Sequence, residues 1–226
     1  MPDDRQPDIL QARGLHKSYG RGDSRVHVLR GLDLAVRAGE FLAVMGPSGC
    51  GKTTLLHVLG LMTPDDAGEL IFAGRAIGPG ESLRNELRRT RIGFVFQRFN
   101  LIGVLSAADN IALSLRVRGM DASAPRILAL LDSLGVGHVA RRKPSAMSIG
   151  EQQRVAVARA MAHRPAVLLA DEPTGNLDSA AAEGLLDLLT AVNRRDGQTV
   201  VMITHSADAA AKAHRVVKMK DGKLLG

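Results

Sequence analysis

Apolar residues come in short runs along this chain, and helical patterns separate the runs. Four of the runs carry almost no polar side chain: 41–45, 92–96, 166–170 and 199–203. Unbroken apolar runs of this length are typical of strands that are buried on both faces. Because strands that alternate with helices assemble into parallel sheets, the pattern predicts an α/β fold with a central parallel sheet.

The N-terminal part of the chain has a two-residue period instead. Leu32, Leu34 and Val36 form one alternating face, and 69–72 is a second short segment of the same kind. Alternation of this type predicts strands with one buried face, as in antiparallel sheets. We therefore expect an antiparallel β-subdomain before and around the first strand of the parallel sheet.

The stretch from about 97 to 165 contains helical patterns and no strong strand pattern. We interpret it as a helical lobe inserted into a single domain that spans residues 1–226, a length that suits one α/β domain. At the C-terminus, the segments 216–219 and 223–225 flank an Asp-Gly pair, which predicts a β-hairpin.

The composition is that of a folded protein with an aliphatic core. Hydrophobic residues make up 45% of the 226 residues, but aromatic residues only 3%, with Tyr19 as the single tyrosine. No apolar run approaches the roughly 20 residues that cross a bilayer, and the N-terminus lacks the pattern of a signal peptide. One cysteine, Cys50, excludes an intrachain disulfide. These features together predict a cytoplasmic protein.

The formal net charge is +7, and the basic residues cluster at 84–91, at 141–143 and in the C-terminal tail. A solvated basic surface is the interpretation that we favour, and attraction to an anionic membrane face is a second one. Nucleic acid is a third, but the clusters are not interleaved with the aromatic residues on which bases stack. We expect no nucleic-acid partner.

A glycine-rich loop between the first buried strand and the helical pattern of 54–61 matches the phosphate-binding pattern G-x-x-x-x-G-K-[ST]. The loop and the residue after it are Gly46, Pro47, Ser48, Gly49, Cys50, Gly51, Lys52, Thr53 and Thr54. Small residues let backbone amides curl around phosphate oxygens, and the following helix directs its positive end at the anion. The pattern predicts that Lys52 reaches the β- and γ-phosphates of ATP and that Thr53 binds Mg²⁺. Cys50 is interpreted as a small filler of the loop.

Two carboxylates follow the buried run that ends at Ala170. Asp171 is placed where a nucleotide-hydrolysing P-loop protein holds Mg²⁺. Glu172 lies at the exit of the strand, where it can act as the general base that polarises the attacking water. An Asp-Glu pair alone is more often an ordinary solvated loop, but a buried strand and a phosphate loop in the same chain favour the catalytic interpretation.

Two further polar residues follow predicted parallel strands. His205 comes after 199–203, and Gln97 comes after 92–96. The carboxyl ends of parallel strands form the edge at which α/β sheets bind ligands. His205 is therefore a candidate to contact a γ-phosphate or to orient water, and Gln97 is a candidate to contact Mg²⁺ or the water.

In their order along the chain, these motifs resemble those of the ABC transporter ATPases. The resemblance covers nearly the whole chain and includes GPSGCGKT, FVFQ, MSIGEQQR, LLADEP, GNLD and His205. It implies the ABC ATPase fold, ATP and Mg²⁺ as cofactors, Gln97 as the Q-loop residue and 175–178 as the D-loop. It also implies that Tyr19, in KSYG, stacks on adenine.

The segment that resembles the family's signature has the Ser-x-x-Glu spacing of a helix capping box, from Ser148 to Glu151. The free amides of such a helix start bind anions. The resemblance implies that Ser148 and Gly150 contact the γ-phosphate held by a second subunit, in a head-to-tail dimer. Where the family usually has Leu-Ser-Gly-Gly, this chain has Ile149 at the third position. Ile149 is strained if the backbone there needs a positive φ, and otherwise adds bulk near the partner's nucleotide.

Several strings, such as EFLAVMGPSGCGKTTLLHVLG and DEPTGNLD, resemble the lipoprotein-releasing, macrolide-export and cell-division branch of the family. That resemblance implies a motor at the cytoplasmic face of the membrane, a second ATPase subunit as in a homodimer, and an integral membrane permease on a separate chain. A soluble ATPase that acts on ribosomes or DNA is the main rival, although such members usually carry two ATPase domains or a long insertion. A regulatory module that binds ATP without turnover is a third hypothesis, which Glu172 and His205 disfavour.

Overall fold

A computed structural model describes residues 6–225. The expectation about a signal peptide falls on the N-terminal sequence, of which residues 1–5 lie outside the described residues. The strands are β1 Asp8–Tyr19, β2 Val26–Arg37, β3 Phe41–Met45, β4 Ala67–Phe72, β5 Arg75–Ala76, β6 Ile92–Val95, β7 Val167–Asp171, β8 Thr199–Thr204, β9 Arg215–Lys220 and β10 Lys223–Leu225. The helices are α1 Lys52–Leu59, α2 Glu81–Thr90, α3 Ala107–Val117, α4 Ala124–Ser133, α5 Ile149–Met161, α6 Ser179–Asp196 and α7 Ala207–Ala211.

The strands form two sheets. The larger sheet has six strands in the order β10-β9-β3-β8-β7-β6, and all its pairs are parallel except the antiparallel pair of β9 and β10 at the edge. The smaller sheet has the order β2-β1-β4-β5 and is antiparallel. The predicted parallel sheet, antiparallel subdomain and C-terminal hairpin are therefore confirmed.

The core has two parts, one on each face of the six-stranded sheet. Phe41 and Ala43 of β3 face the helical side, where α3, α5 and α6 contribute most of the packing. Leu42 and Val44 face α1 and the antiparallel sheet. A strand with apolar neighbours on both faces needs an unbroken apolar sequence, which is why β3 lacks the alternation seen in β2.

Residues 97–165 contain α3, α4 and α5 together with two short 3₁₀ turns, and no strand lies in that range. The helix predicted at 54–61 begins two residues earlier, at Lys52, because Gly51 ends the loop and serves as its N-cap; it ends before Gly60. Within residues 6–225, no helix combines the length and the apolar character that crossing a membrane requires.

The interpretation of 84–91 as a solvated basic surface is wrong for Arg84, whose side chain is 0% exposed. Its Nη2 donates to the backbone oxygen of Thr63 at 2.8 Å, and Arg88 donates to that of Leu61. Both acceptors lie just after α1, where the last carbonyls of a helix have no partner within the helix and where its dipole favours cations. These arginines tie α2 to the end of the helix that follows the glycine-rich loop.

His163 makes stability depend on pH, because it is buried and the Nε2 atom lies 3.0 Å from the backbone oxygen of Ile92. Burial first, and the charge of Arg118 second, lower its pKa from 6.5 to about 4. Between these two values the unfolded chain binds more protons than the folded one, so stability is present above pH 6.5 and is lost as pH falls through this window.

We expect His163→Gln to remove this dependence, since glutamine can donate to the same carbonyl and does not titrate. The measurement is the free energy of unfolding in urea at pH 7 and at pH 5. Between these two pH values, this free energy should fall by on the order of 2 kcal/mol more for the native protein than for the variant. His16, an exposed histidine on β1, provides a control through His16→Gln. Parallel pH curves for native protein and His163→Gln would contradict the assignment.

Candidate functional site

The loop between β3 and α1 depends on glycine at two positions. At Gly46, an added Cβ would lie 2.2 Å from the backbone oxygen of Met219 and 2.8 Å from the Cys50 sulfur, so only glycine fits. Gly51 has a φ of 105°, in the left-handed region that glycine adopts without strain. The loop is thus held against β9 on one side and turns directly into α1 on the other.

The side chain of Lys52 is fixed over this loop. It is 7% exposed, and its Nζ donates to the backbone oxygens of Gly46 at 2.7 Å and Pro47 at 3.0 Å. Thr53, the next residue, places its hydroxyl 3.5 Å from a carboxylate oxygen of Asp171. The first turn of α1 therefore presents a cation and a hydroxyl side by side.

Asp171 ends β7 and is 9% exposed. Burial raises its pKa and the neighbouring carboxylate of Glu172 adds to this, while His57, Thr53 and Lys52 oppose it. A buried carboxylate of this kind gains stability from a bound cation. Hydroxyl and carboxylate oxygens are the ligands that Mg²⁺ prefers, so the pair of Thr53 and Asp171 fits that ion.

Glu172 has a positive φ of 44°, which is rare for a residue with a long side chain. Its amide donates to the backbone oxygen of Ile203 at 3.0 Å, and its carboxylate lies 2.7 Å from Nδ1 of His205. Strained backbone that the surrounding structure holds in place clusters at functional sites. His205, at the end of the neighbouring strand β8, contacts the Glu172 carboxylate directly.

Gln97 follows β6 and lies at the same edge of the sheet. Its backbone oxygen accepts a hydrogen bond of 2.8 Å from the side-chain amide of Asn176, a residue of the segment after β7. Its side-chain nitrogen lies within 3.3 Å of the point where a Cβ on Gly175 would sit. The segments after β6 and β7 are thus in contact with each other.

One cavity of about 500 Å³ collects most of the predicted residues. It is lined by Tyr19, Val28, Ser48, Gly49, Gly51, Lys52, Thr53, Thr54, Gln97, Asp171, Glu172 and His205. Val28 was not predicted, since its place on β2 gives no chemical signal. Tyr19, whose ring lies 5.6 Å from the Lys17 ammonium, stands exposed at the mouth of this cavity.

Three residues of the predicted loop do not line the cavity. Gly46 and Pro47 instead supply the carbonyls that hold Lys52. Cys50 is 7% exposed and packs in the apolar cluster between α1 and the antiparallel sheet. Its side chain therefore points away from the cavity, as expected of a small filler, and contact of the Cys50 backbone with a nucleotide stays a prediction.

Ser148 and Gly150 lie outside this cavity as well. Ser148 caps α5 by accepting from the Glu151 amide at 3.2 Å, and its own amide donates to the Glu151 carboxylate at 2.7 Å. Ile149 is the first residue of α5, has no positive φ and is 52% exposed. The alternative of a strained Ile149 is therefore wrong, and the residue adds bulk to an exposed helix start.

Comparison with known proteins gives a consistent result. A family model described as ABC transporter matches residues 29–175. The lipoprotein-releasing system ATP-binding protein LolD of Paramagnetospirillum magneticum is 42% identical over 219 residues, which cover 96% of this chain and 97% of that protein. The macrolide export ATP-binding/permease protein MacB 1 of Aeromonas hydrophila is 43% identical over 98% of this chain, which spans only 34% of that longer protein.

Solved structures with the same fold include the ATP-binding cassette MJ0796 as a dimer in a post-hydrolysis state with ADP and Pi. It superposes with a TM-score of 0.88 at 36% identity, over 96% of this chain and 97% of that one. A second dimeric structure of the same cassette gives the same values. The likeness therefore covers nearly the whole chain.

The close approach at Gly46 leads to a test. Gly46→Ala should push the loop off β9 and destabilise the fold by an overpacking cost of about 1–3 kcal/mol, which lowers the midpoint of thermal unfolding. It should also weaken ATP binding by at least about tenfold. Calorimetry and ATP titration measure the two effects. Gly103→Ala is the matched control, because nothing lies within 4 Å of its added Cβ. Equal behaviour of the two variants would mean that Gly46 is not constrained.

Proposed function

This chain belongs to the ABC transporter family, and we propose that it is the ATP-hydrolysing motor subunit of a transporter whose membrane permease is a separate chain. The observation that carries the proposal is the cavity in which Lys52, Thr53, Asp171 and Glu172 meet. It combines a phosphate-binding loop, an oxygen pair suited to a divalent cation and a carboxylate held by a histidine. Binding without turnover would need no such carboxylate–histidine pair.

ATP binding follows from the loop and the side chains around it. The amides of 48–53 and the Lys52 ammonium bind the β- and γ-phosphates at the positive end of α1. Tyr19, exposed at the mouth of the cavity, stacks on the adenine ring. Thr53 and Asp171, with Gln97 beside them, would hold Mg²⁺, which would supply charge neutralisation to the bound phosphates.

Hydrolysis depends on the second carboxylate. Glu172 accepts a proton from water as the water oxygen bonds to the γ-phosphorus and the bond from that phosphorus to the β–γ bridging oxygen breaks, which gives ADP and phosphate. The hydrogen bond of 2.7 Å from His205 to the Glu172 carboxylate orients this base. Because the left-handed backbone of Glu172 is held in place, its carboxylate has fewer possible positions than the carboxylate of a residue on a mobile loop.

A head-to-tail dimer completes the site. Ser148 and Gly150 do not line the cavity of their own chain, and the start of α5 is exposed, as a surface that meets a second subunit must be. The relative MJ0796 is known as a dimer in a post-hydrolysis state. ATP is held between Lys52 of one chain and the α5 start of the other, so binding closes the dimer and hydrolysis opens it.

The permease docks on a groove of about 410 Å³ between the end of β6 and α3. Four of the residues that line this groove are exposed hydrophobic residues: Met62, Ile102, Leu113 and Val117. Arg88, Arg118 and Arg159 also line it. A patch of this kind marks an interaction site, and a permease segment with an apolar face and a carboxylate complements it.

The named relatives support the branch. LolD belongs to a lipoprotein-releasing system and MacB to macrolide export, so we place this chain in export or in envelope-related work that transmits force through a permease. It acts as a peripheral subunit at the cytoplasmic face of the membrane. Residues 1–226 form one ATPase domain in which 97–165 is the inserted helical lobe that carries the permease groove.

Glu172→Gln tests the chemistry. The variant should bind ATP with unchanged affinity but lose about 10²–10⁴-fold in turnover, because a positioned base typically contributes that factor. Steady-state phosphate release and ATP titration give the two numbers. The control is Glu183→Gln, a change at an exposed glutamate on α6, and this variant should hydrolyse ATP at the native rate. Near-normal turnover in Glu172→Gln would remove this residue from the role of base.

The dimer geometry is tested by mixing two inactive variants. Gly150→Asp places a carboxylate against the partner's γ-phosphate, a like-charge contact on the order of 4 kcal/mol at intermediate dielectric, and Lys52→Ala removes the phosphate-binding cation. Head-to-tail pairing gives one composite site with both defects and one with neither. Phosphate release should therefore rise in the mixture above either variant alone. No rise, with mixed dimers shown by native mass spectrometry, would contradict the head-to-tail arrangement.

A further inference from the structure

The segment after β6 has an unusual backbone. Phe99 and Asn100 both have a φ of 51°, so two consecutive residues with side chains lie in the left-handed region. Asparagine visits this region more readily than most residues, but phenylalanine does so rarely. A pair of this kind persists only when surrounding contacts hold it.

Arg159 of α5 supplies such contacts. Its Nη2 donates to the backbone oxygen of Phe99 at 2.8 Å, and its Nη1 donates to that of Asn100. The planar fork of a guanidinium matches two neighbouring carbonyls, which a lysine ammonium cannot match with the same geometry. Burial, and then the charge of Arg118, lower the pKa of Arg159, so this guanidinium is held at an electrostatic cost.

The other end of the segment is tied to the catalytic edge of the sheet. Gln97 lines the cavity with Lys52 and Glu172, and its backbone oxygen accepts from Asn176 at 2.8 Å. The amide of Phe99 donates to the backbone oxygen of Phe96 at 3.1 Å, which closes a turn around Gln97. The position of Gln97 therefore depends on two anchors, Asn176 and Arg159.

Helix α5 connects this anchor to the dimer-facing surface. The helix begins after Ser148 and continues without a break to Met161. Arg159 lies eleven residues beyond Ser148, a distance of about 16 Å along a helix that rises 1.5 Å per residue. A displacement of the Ser148 end is transmitted along such a helix to the carbonyls of Phe99 and Asn100.

We propose that Arg159 is a positioning residue that holds Gln97 in place for hydrolysis and links it through α5 to the nucleotide bound by the partner subunit. The link rests on the proposed dimer function. It gives each subunit a means to adjust its own catalytic edge when its α5 start meets the other subunit's ATP. Arg159 contacts no reacting atom; it acts through the backbone of 97–100.

Arg126 offers a matched control. Its guanidinium also donates to two backbone oxygens, those of Asp121 at 3.0 Å and Ala162 at 2.9 Å, but neither lies near the cavity. Arg159→Gln and Arg126→Gln each remove one such pair of contacts at a helix of the lobe. A purely structural role predicts that the two variants behave alike, and a positioning role predicts that they differ.

The expected results are as follows. Arg159→Gln should bind ATP within about twofold of the native affinity, show a kcat about tenfold lower, and exchange the amide hydrogens of 98–102 at least about tenfold faster. Arg126→Gln should change none of these. Arg159→Lys keeps the charge but loses the planar fork. Its kcat and its amide exchange at 98–102 should lie between those of Arg159→Gln and the native protein. The lysine variant also replaces the glutamine variant in the test if the latter fails to fold.

Adding ATP tests the link through α5. In a Glu172→Gln background, which retains ATP, the amides of 98–102 should become more protected when ATP is added, and the additional change Arg159→Gln should abolish that response. Equal kcat and exchange for Arg159→Gln and Arg126→Gln, or an unchanged ATP response, would overturn the proposal. A native protein that hydrolyses no ATP would instead contradict the proposed function, and the exchange measured without ATP would still test the Arg159 anchor.

Discussion

The whole site depends on one geometric constraint: the carboxyl ends of parallel strands meet at one edge of the sheet. β3, β6, β7 and β8 all run in the same direction, so the residues that follow them leave the sheet together. The glycine-rich loop, Gln97, Glu172 and His205 each occupy such an exit. Residues separated by more than one hundred positions in the sequence thus line a single cavity of about 500 Å³.

That convergence brings like and unlike charges together in a partly buried space. Lys52 is held by two carbonyls, Asp171 has a raised pKa because of its burial, and Glu172 lies 2.7 Å from His205. Each of these groups is costly to bury alone, and each gains from a polyphosphate with its cation. The charges of the folded chain therefore favour ATP as the ligand, accompanied by a cation beside Asp171.

Backbone strain is concentrated at the same edge. Glu172, Phe99 and Asn100 have left-handed backbones although none is glycine. The amide of Glu172 donates to the backbone oxygen of Ile203 on β8. The backbone oxygens of the other two residues accept from Arg159 on α5. Such positions are sensitive to small shifts of the groups that hold them. Because Arg159 lies on the helix that Ser148 caps, the lobe and the catalytic edge are joined by a rigid element and two carbonyls.

The sequence alone was sufficient for the fold class and for most of the cavity. Unbroken and alternating apolar runs distinguish β3 from β2, since burial on both faces demands the first pattern and burial on one face the second. The glycine-rich loop, Asp171, Glu172, Gln97 and His205 were found because their chemistry and their place after apolar strands are local properties. Their roles in catalysis stay predictions for the variants to test.

Only the tertiary structure decided the direction and the partner of individual side chains. It buried Arg84 within a cluster that looked solvated, turned Cys50 into the apolar core, gave Ile149 an ordinary helical backbone and added Val28 to the cavity. It also joined Arg159 to Phe99, sixty positions earlier in the chain, and to the next residue, Asn100. Composition and periodicity report what a residue is and which face it shares with its near neighbours. Burial and hydrogen bonding between distant segments depend on how the sheets and helices pack, and no local pattern encodes that packing.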